Sequence, residues 1–556
     1  MYSAGLIARH LALAPGAEAL RSIAAAEADA PIADVLTSAM RFADAHLVEL
    51  NRIGDREGCR LEDGRVITPA AHKPAWAAYC DNGWLTIDAA PASGGLGLPT
   101  ALAMAVQEAM DRACPAFGMM PVSIRAGMRL LDAFGDDATK AEWLPRLISG
   151  DWGATICISE PEAGSDVQRL RTRATRTADG GWSVTGEKCW ISFGDQDLTA
   201  RIGHFLLAKT ADAAGDERIS LFLVPDRFEG DRNGITVRRI EEKLGLHLSP
   251  TCALGFEGAR AILLGEQGRG LRQLFVMIRQ MRLATGVMGL GIAGRAFDVA
   301  MAYARERCQG GDGPMPVAIA EHADVQRMLL DMAGRVEVLR GLIFAAANQF
   351  DLAGGAADAA TRDDAAALAG WLLPIVKTLG GETGFAVASE AIQILGGAGY
   401  TRAWPVEQGL RDARVLTIFE GTTGLQAQDL LFRRLLADGG RGLHVFLVQA
   451  RRDAGSCDAL ASCLDELETV ASLLATPGRC RRDLEAGATA FLGLAGLAAS
   501  AWIAARLAAG TGSDPLSRHL AIVGSFALED IGRKSRAVAS AATTGADALA
   551  DFGELL

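Results

Sequence analysis

The ten cysteines of this 556-residue chain never form a CxxC pair, and none sits with histidines at zinc-ligand spacing. That excludes a disulfide framework and a zinc module; reduced, buried thiols and no metal are expected. Positive charge is in deficit, with 55 Lys and Arg against 67 Asp and Glu. The net charge of −12 excludes a general attraction to nucleic acid or anionic lipid, while leaving room for a local basic patch. Residues 1–30 lack a basic segment followed by an apolar core, so no signal peptide is expected and the cytoplasm is the expected compartment. The run GGLGLP at 94–99 follows no strand and precedes no Lys-Ser/Thr, so it reads as a plain turn rather than a nucleotide loop. A strongly apolar membrane span is missing too. Residues 486–505 carry no charge but are mostly Ala and Gly, with Thr489 and Ser500; Phe491, Leu492, Leu494, Leu497, Trp502 and Ile503 are the strong apolar members. A buried helix in a packed bundle is the expectation.

Apolar residues make up 50% of the chain, enough for a core in each of about three or four structural units. The expected fold class is mainly α with a central β domain. Residues 1–150 read as an N-terminal helical domain. Residues 151–265 change texture: WSVTGEKCWISF, HFLLAKT, ISLFLVP and GITVRRI are alternating strand-like runs between Gly, Asp and Pro turns. Residues 266–436 return to helices, at 271–286, 289–307, 325–348, 365–379 and 383–395, which read as a bundle. Residues 437–556 form an extra Ala/Leu-rich helical extension.

The stretch 411–426, RDARVLTIFEGTTGLQ, stands out. A helix end leads into an apolar run (Val415, Leu416, Ile418, Phe419), a single acid, Glu420, and then Gly421. Thr423 and Gln426 fit a capping box that opens a new helix. Glu420 is expected in a short linker at a helix mouth, with Ile418 and Phe419 keeping its surroundings dry. A carboxylate in a dry setting has a raised pKa and can serve as a base. Taken alone, the stretch reads more plainly as a solvated acid between helices.

Three further stretches reverse that weighting: CISEPEAGSD at 157–166, GEKCWISFG at 186–194 and QILGGAGY at 393–400. With IFEGTTG, and in this order, they resemble the acyl-CoA dehydrogenase family. The resemblance implies an N-terminal helical domain, a middle β-barrel-like domain and a C-terminal helical bundle, with an extra helical domain here. It implies FAD as cofactor. Dehydrogenating an acyl thioester needs a base for the α-proton, an acceptor for the β-hydride and donors to the thioester oxygen. No side chain accepts a hydride, so a redox cofactor must. By resemblance Glu420 is the base, its backbone N–H faces the thioester oxygen, and Gly421 lets the acyl chain pass. Ile158, Ser159, Trp190 and Ser192 match positions at the flavin ring. Ser165 and Arg282 match positions on the CoA portion. Thr422 and Gly424 match positions near the pyrophosphate. Arg307, Gln393 and Gly397 match positions reaching the pyrophosphate and ADP across a subunit interface. The implied partners are an acyl-CoA substrate, an electron-transferring flavoprotein and a second copy of the chain, with a homodimer favoured over a tetramer.

The chain departs from the common pattern at Cys308–Gly310, where many members place a Phe after the arginine. LNRIGDREG, ISFGDQDLT, YARERCQGG and the extension look closer to a longer subgroup that includes 3-methylthiopropionyl-CoA dehydrogenases. The extension holds 11 basic against 14 acidic residues, which does not support a duplex-binding face. It is expected to pack on the helical core or a partner subunit. The competing readings are a catalytically idle, flavin-bearing relative associated with nucleic acid and an oxidase using O2 directly.

Overall fold

The computed structural model describes residues 2–17, 32–89, 91, 94–211, 215–455, 457–510 and 512–553. Much of the segment read as free of a signal peptide, residues 18–30, lies outside the described residues. The chain divides into two compact units: Met40–Leu98 with Ala113–Ala284, and Met1–Ala39 with Pro99–Arg112 and Thr285–Leu556.

The first unit is built on a sheet. Its strands are β1 (Arg60–Glu62), β2 (Arg65–Ile67), β3 (Trp152–Cys157), β4 (Arg173–Arg176), β5 (Trp182–Ser192), β6 (Arg201–Ala211), β7 (Glu217–Pro225), β8 (Arg227–Phe228), β9 (Asp231–Arg232), β10 (Ile235–Ile240) and β11 (Thr251–Leu264). Strands β11, β5, β4, β6 and β7 pair in that order, and β7 pairs back onto β11, so the hydrogen bonding closes into a ring. Strand β10 extends it beside β11, and β3 runs parallel to β6. Val184, Ile191, Leu206, Phe222, Leu254 and Phe256 fill its core. The β1–β2 hairpin falls in a stretch expected to be helical. Its turn residues Asp63 and Gly64 both have positive φ, 49° and 73°, which suits a two-residue hairpin. The Asp195 carboxylate latches it, accepting from Val66 N at 2.7 Å and Arg65 Nε at 2.9 Å.

The second unit is helical. The segments 271–286 and 289–307 were expected as separate helices, as were 365–379 and 383–395. Each pair belongs to one continuous helix, Gly270–Glu306 and Ala359–Leu395. The glycines that suggest breaks mark a crossing instead: a Cβ on Gly289 would overlap the Gly380 carbonyl, and one on Gly286 would lie 2.7 Å from Val376 Cγ1. A helix-interior Gly costs about 1 kcal/mol relative to Ala, which close backbone contact offsets here.

The extension forms the helices Arg441–Ala454, Asp458–Leu474, Arg481–Ala508, Pro515–Thr543 and Asp547–Gly553. It packs on the helical core: Phe491 meets Trp371 edge-on with ring centroids 6.2 Å apart, both side chains fully buried. Trp502 Nε1 donates to Asp453 Oδ2 at 2.7 Å, and Arg506 Nη1 pairs with the same oxygen at 2.7 Å. The helix Ala4–Leu13 joins the same assembly, with Arg9 Nη1 donating to Ser517 Oγ at 2.9 Å and Arg506 Nε to Leu13 O at 2.9 Å. Among the described residues, two helices are long and apolar enough to cross a membrane, Gly270–Glu306 and Arg481–Ala508, and their most apolar windows are 83% and 72% buried. That is the burial of core helices. None of the ten cysteines, all among the described residues, forms a disulfide; Cys308 and Cys480 are exposed rather than buried.

Candidate active site

Glu420 sits where the 3-10 turn Arg414–Thr417 gives way to the helix Thr423–Gln428. Its φ is 56°, and Gly421 follows at 92°. A left-handed backbone costs a non-glycine residue about 1–2 kcal/mol, so the surroundings must over-determine it. Two fully buried side chains contribute. Lys377 Nζ donates to Gly421 O at 2.6 Å. Gln426 Nε2 donates to Glu420 O and Gly421 O, each at 3.2 Å. Lys377 comes from the helix Ala359–Leu395, which approaches closely because Gly381 is bare: a Cβ there would lie 3.0 Å from the Leu416 carbonyl.

Two expectations change here. The helix cap is Thr422, not Thr423: Thr422 Oγ1 accepts from Leu425 N at 3.3 Å. Thr422 has the extended ψ of a cap, 161°, while Thr423 is already helical. Gln426 therefore turns to the carbonyls rather than closing a capping box. The dry wall also differs. Leu416 takes the buried position, whereas Ile418 is 51% exposed and Phe419 and Glu420 are half-buried.

In the sheet unit, the two flavin-type motifs lie side by side, with Cys189 N donating to Ser159 O at 3.0 Å. Beneath them Lys188, almost wholly buried, donates to Ile158 O at 3.0 Å and to Glu160 Oε1 at 2.8 Å. Glu160 also accepts from Arg171 N at 2.6 Å and Thr172 N at 3.2 Å. Burial pushes the Glu160 carboxyl up, but Lys188 and these donors outweigh it and hold it below the usual carboxylate range. Trp190 has φ 63° and is 61% exposed, between buried Cys189 and Ile191. A strained backbone presenting a large bare aromatic is characteristic of functional sites. Ser159 and Ser192 are half-buried on either side of the motif junction, and Arg282 is half-buried on its helix.

The structure thus gathers Ile158, Ser159, Trp190 and Ser192 on one strand pair, and Glu420, Gly421, Thr422 and Gly424 in one turn. Ser165, Arg307, Gln393 and Gly397 are exposed outside these two clusters. Sequence reading missed three features. Lys377 is the one charge in WLLPIVKTLGG, and a lone charge in an apolar helical run signals a buried, partnered lysine. Lys188 occupies a buried strand position in GEKCWISFG. A cavity of about 750 Å³ in the sheet unit is lined by Arg173, Arg176, Lys209 and Arg218, with Glu217 and Trp182. Glu217 pairs there with Arg173 and Lys209, leaving an excess of positive charge on the lining.

The models of the acyl-CoA dehydrogenase N-terminal, middle and C-terminal domains match residues 33–151, 155–259 and 268–435. The 3-methylmercaptopropionyl-CoA dehydrogenase of Ruegeria pomeroyi is 38% identical over 522 residues, covering 89% of this chain and 87% of that protein. The broad-specificity linear acyl-CoA dehydrogenase FadE5 of Mycobacterium tuberculosis is 34% identical over 437 residues, covering 74% of this chain and 70% of its own length. The Bacillus anthracis acyl-CoA dehydrogenase complexed with FAD has the same fold, with a TM-score of 0.78 at 21% identity over 95% of this chain and 91% of that one. With all three domains matched in order and a relative this similar over nearly its full length, the chain belongs to the acyl-CoA dehydrogenase family of flavoenzymes.

Proposed function

We propose that this protein converts an acyl-CoA thioester to the trans-2-enoyl-CoA, with Glu420 as the base and FAD as the electron acceptor. The observation that carries the reading is the Glu420 turn: one carboxylate on a left-handed residue, held by two buried donors and followed by a glycine. The α-proton passes from the substrate Cα to a Glu420 carboxylate oxygen. The Glu420 N–H donates to the thioester oxygen as it gains enolate character. Gly421 leaves room for the acyl chain beside the backbone. FAD, when bound, accepts the β-hydride, which no side chain could.

The donor set fits FAD. The hydroxyls of Ser159 and Ser192 and the Ile158 backbone suit the polar edge of a flavin ring, and the bare face of Trp190 suits its plane. Arg307 suits the pyrophosphate, Thr422 and Gly424 lie where a helix start favours anionic oxygens, and Gln393 and Gly397 are assigned to the ADP portion. Ser165 and Arg282 are assigned to CoA, whose phosphates match the charge of the Arg173–Arg218 cavity. Family resemblance supports an electron-transferring flavoprotein as acceptor and a homodimer in which Arg307 reaches a neighbour's cofactor. The name of the Ruegeria relative supports short acyl chains. The four-part division at 150, 265 and 436 remains our domain assignment.

The test is anaerobic bleaching of the bound flavin by a panel of acyl-CoAs. Wild type should bleach with one chain-length class. Glu420→Gln should keep its flavin and bind acyl-CoA but reduce at least ~10²-fold more slowly, the lower end for losing a general base. Near-normal reduction in that variant would place the base elsewhere. Rapid reoxidation by air in preference to a flavoprotein acceptor would favour an oxidase.

A further inference from the structure

We propose that Lys377 is a positioning residue for the base, acting with Gln426 to hold the two peptide units that follow Glu420. The inference rests on the assignment of Glu420 above. Lys377 Nζ pins the Gly421 carbonyl at 2.6 Å, and the Gln426 amide bridges the carbonyls of Glu420 and Gly421 at 3.2 Å each. These bonds fix ψ of Glu420 and the backbone of Gly421, the torsions that must rotate for Glu420 to leave its left-handed conformation. Without the clamp, the turn can relax, carrying the carboxylate and the Glu420 N–H away together.

The choice of residue types supports a specific role. A side chain that only filled the space beneath the turn could be Leu or Met. Instead an ammonium is wholly buried in an otherwise uncharged run, 371–381, which carries a large desolvation cost. It donates to a backbone carbonyl one residue from the base. The approach is built into the helix as well: Gly381, one turn on, lets the Leu416 carbonyl close against bare backbone. Gln426 is equally buried, on the helix that the turn opens into. The clamp therefore joins the helix Ala359–Leu395 to the helix that follows the base.

The holoenzymes of Lys377→Met and Gln426→Met test this. Gln426→Met keeps side-chain length, Lys377→Met is one atom shorter, and both remove the donor. Three quantities are read: the limiting rate of anaerobic flavin reduction per bound flavin, the apparent dissociation constant for acyl-CoA, and amide hydrogen exchange over residues 414–426. Lys377→Met should lower the limiting rate by about 10- to 100-fold, the range expected when a catalytic group is misplaced by about an ångström. The dissociation constant should move less than about threefold, because the clamp orients the base rather than binding CoA. Exchange in 414–426 should quicken. A purely structural lysine would lower yield or stability and leave the rate per flavin unchanged. Rates within about twofold of wild type in both variants, or unchanged exchange, overturn the proposal. If Lys377→Met does not fold, Gln426→Met decides on the same readings. Glu420→Gln runs in parallel: if it reduces normally, the assignment of the base fails; if it is inactive while both clamp variants match wild type, only the clamp fails.

Discussion

Replacing Lys188 with Met should loosen the support under the flavin motifs, and the structure sets the size of the effect. Met fills nearly the same volume, so no cavity opens. What is lost is an ammonium serving two acceptors, Glu160 Oε1 at 2.8 Å and Ile158 O at 3.0 Å. Glu160 has a side chain only 5% exposed and would lose its counter-charge. Removing one partner of a buried pair costs about 3–5 kcal/mol. Glu160 keeps its amide donors from Arg171 and Thr172, which places the loss near the lower end, about 3 kcal/mol, with about 1 kcal/mol more for the Ile158 carbonyl. Against a typical stability of about 5–15 kcal/mol, that is a large fraction. Adding Glu160→Gln should restore part of the loss, because the stranded charge goes while an amide oxygen still accepts from the two N–H groups. Urea denaturation followed by tryptophan fluorescence, with flavin content in parallel, measures both. A single variant within about 1 kcal/mol of wild type, or a double variant less stable than Lys188→Met alone, would refute the reasoning. The pair also has a pH signature. The folded pKa of Glu160 is depressed, so its contribution is complete above the unfolded carboxylate value and disappears as the pH falls through the folded one.

Two other outcomes are expected. Burial drives His72 down to about 3 and His204 to about 4, against weaker opposing pulls from Asp197 and Asp226. Both stay neutral in the fold while the unfolded chain takes up protons below about pH 6.5. Stability should hold above pH 6.5 and fall toward acid by up to ~1.4 kcal/mol per pH unit for each histidine; a urea midpoint unchanged between pH 7 and pH 5 would refute this. Deleting residues 438–556 should strip the cover from Trp371 and its neighbours and cause aggregation; light scattering checks this, and a soluble truncation with full flavin would contradict it.

The sequence carried the architecture well because period-2 and helical apolar patterns are local. ISLFLVP is a strand, and the uncharged 486–505 run is a core helix. Where reading failed, the deciding contact was distant. Gly380 looks like a helix break until Gly286 and Gly289 of another helix are seen against it. Thr423 fits a cap by spacing, but two left-handed residues shift the cap to Thr422. Glu420, Trp190 and the motif serines were singled out through family resemblance. The positive φ of Glu420 and Trp190 was not legible, since nothing local in IFEG or KCWIS demands it. Lys377 lies 44 residues from the carbonyl it holds, beyond any local pattern.

The contacts between Arg9 and Ser517, 508 residues apart in sequence, and between Arg506 and Leu13 set a clock for biosynthesis. At about 5–20 residues per second, the helix Ala4–Leu13 emerges roughly 25–100 s before the residues that complete its berth. During that interval the helix can already pair with Ala323–Gly355, through His10 Nε2 and Glu337 Oε2 at 2.7 Å. One face of this helix is thus secured long after the other. A stall or premature stop late in the message would release a chain whose helix Ala4–Leu13 lacks its partners on the extension, a species suited to chaperone capture or degradation.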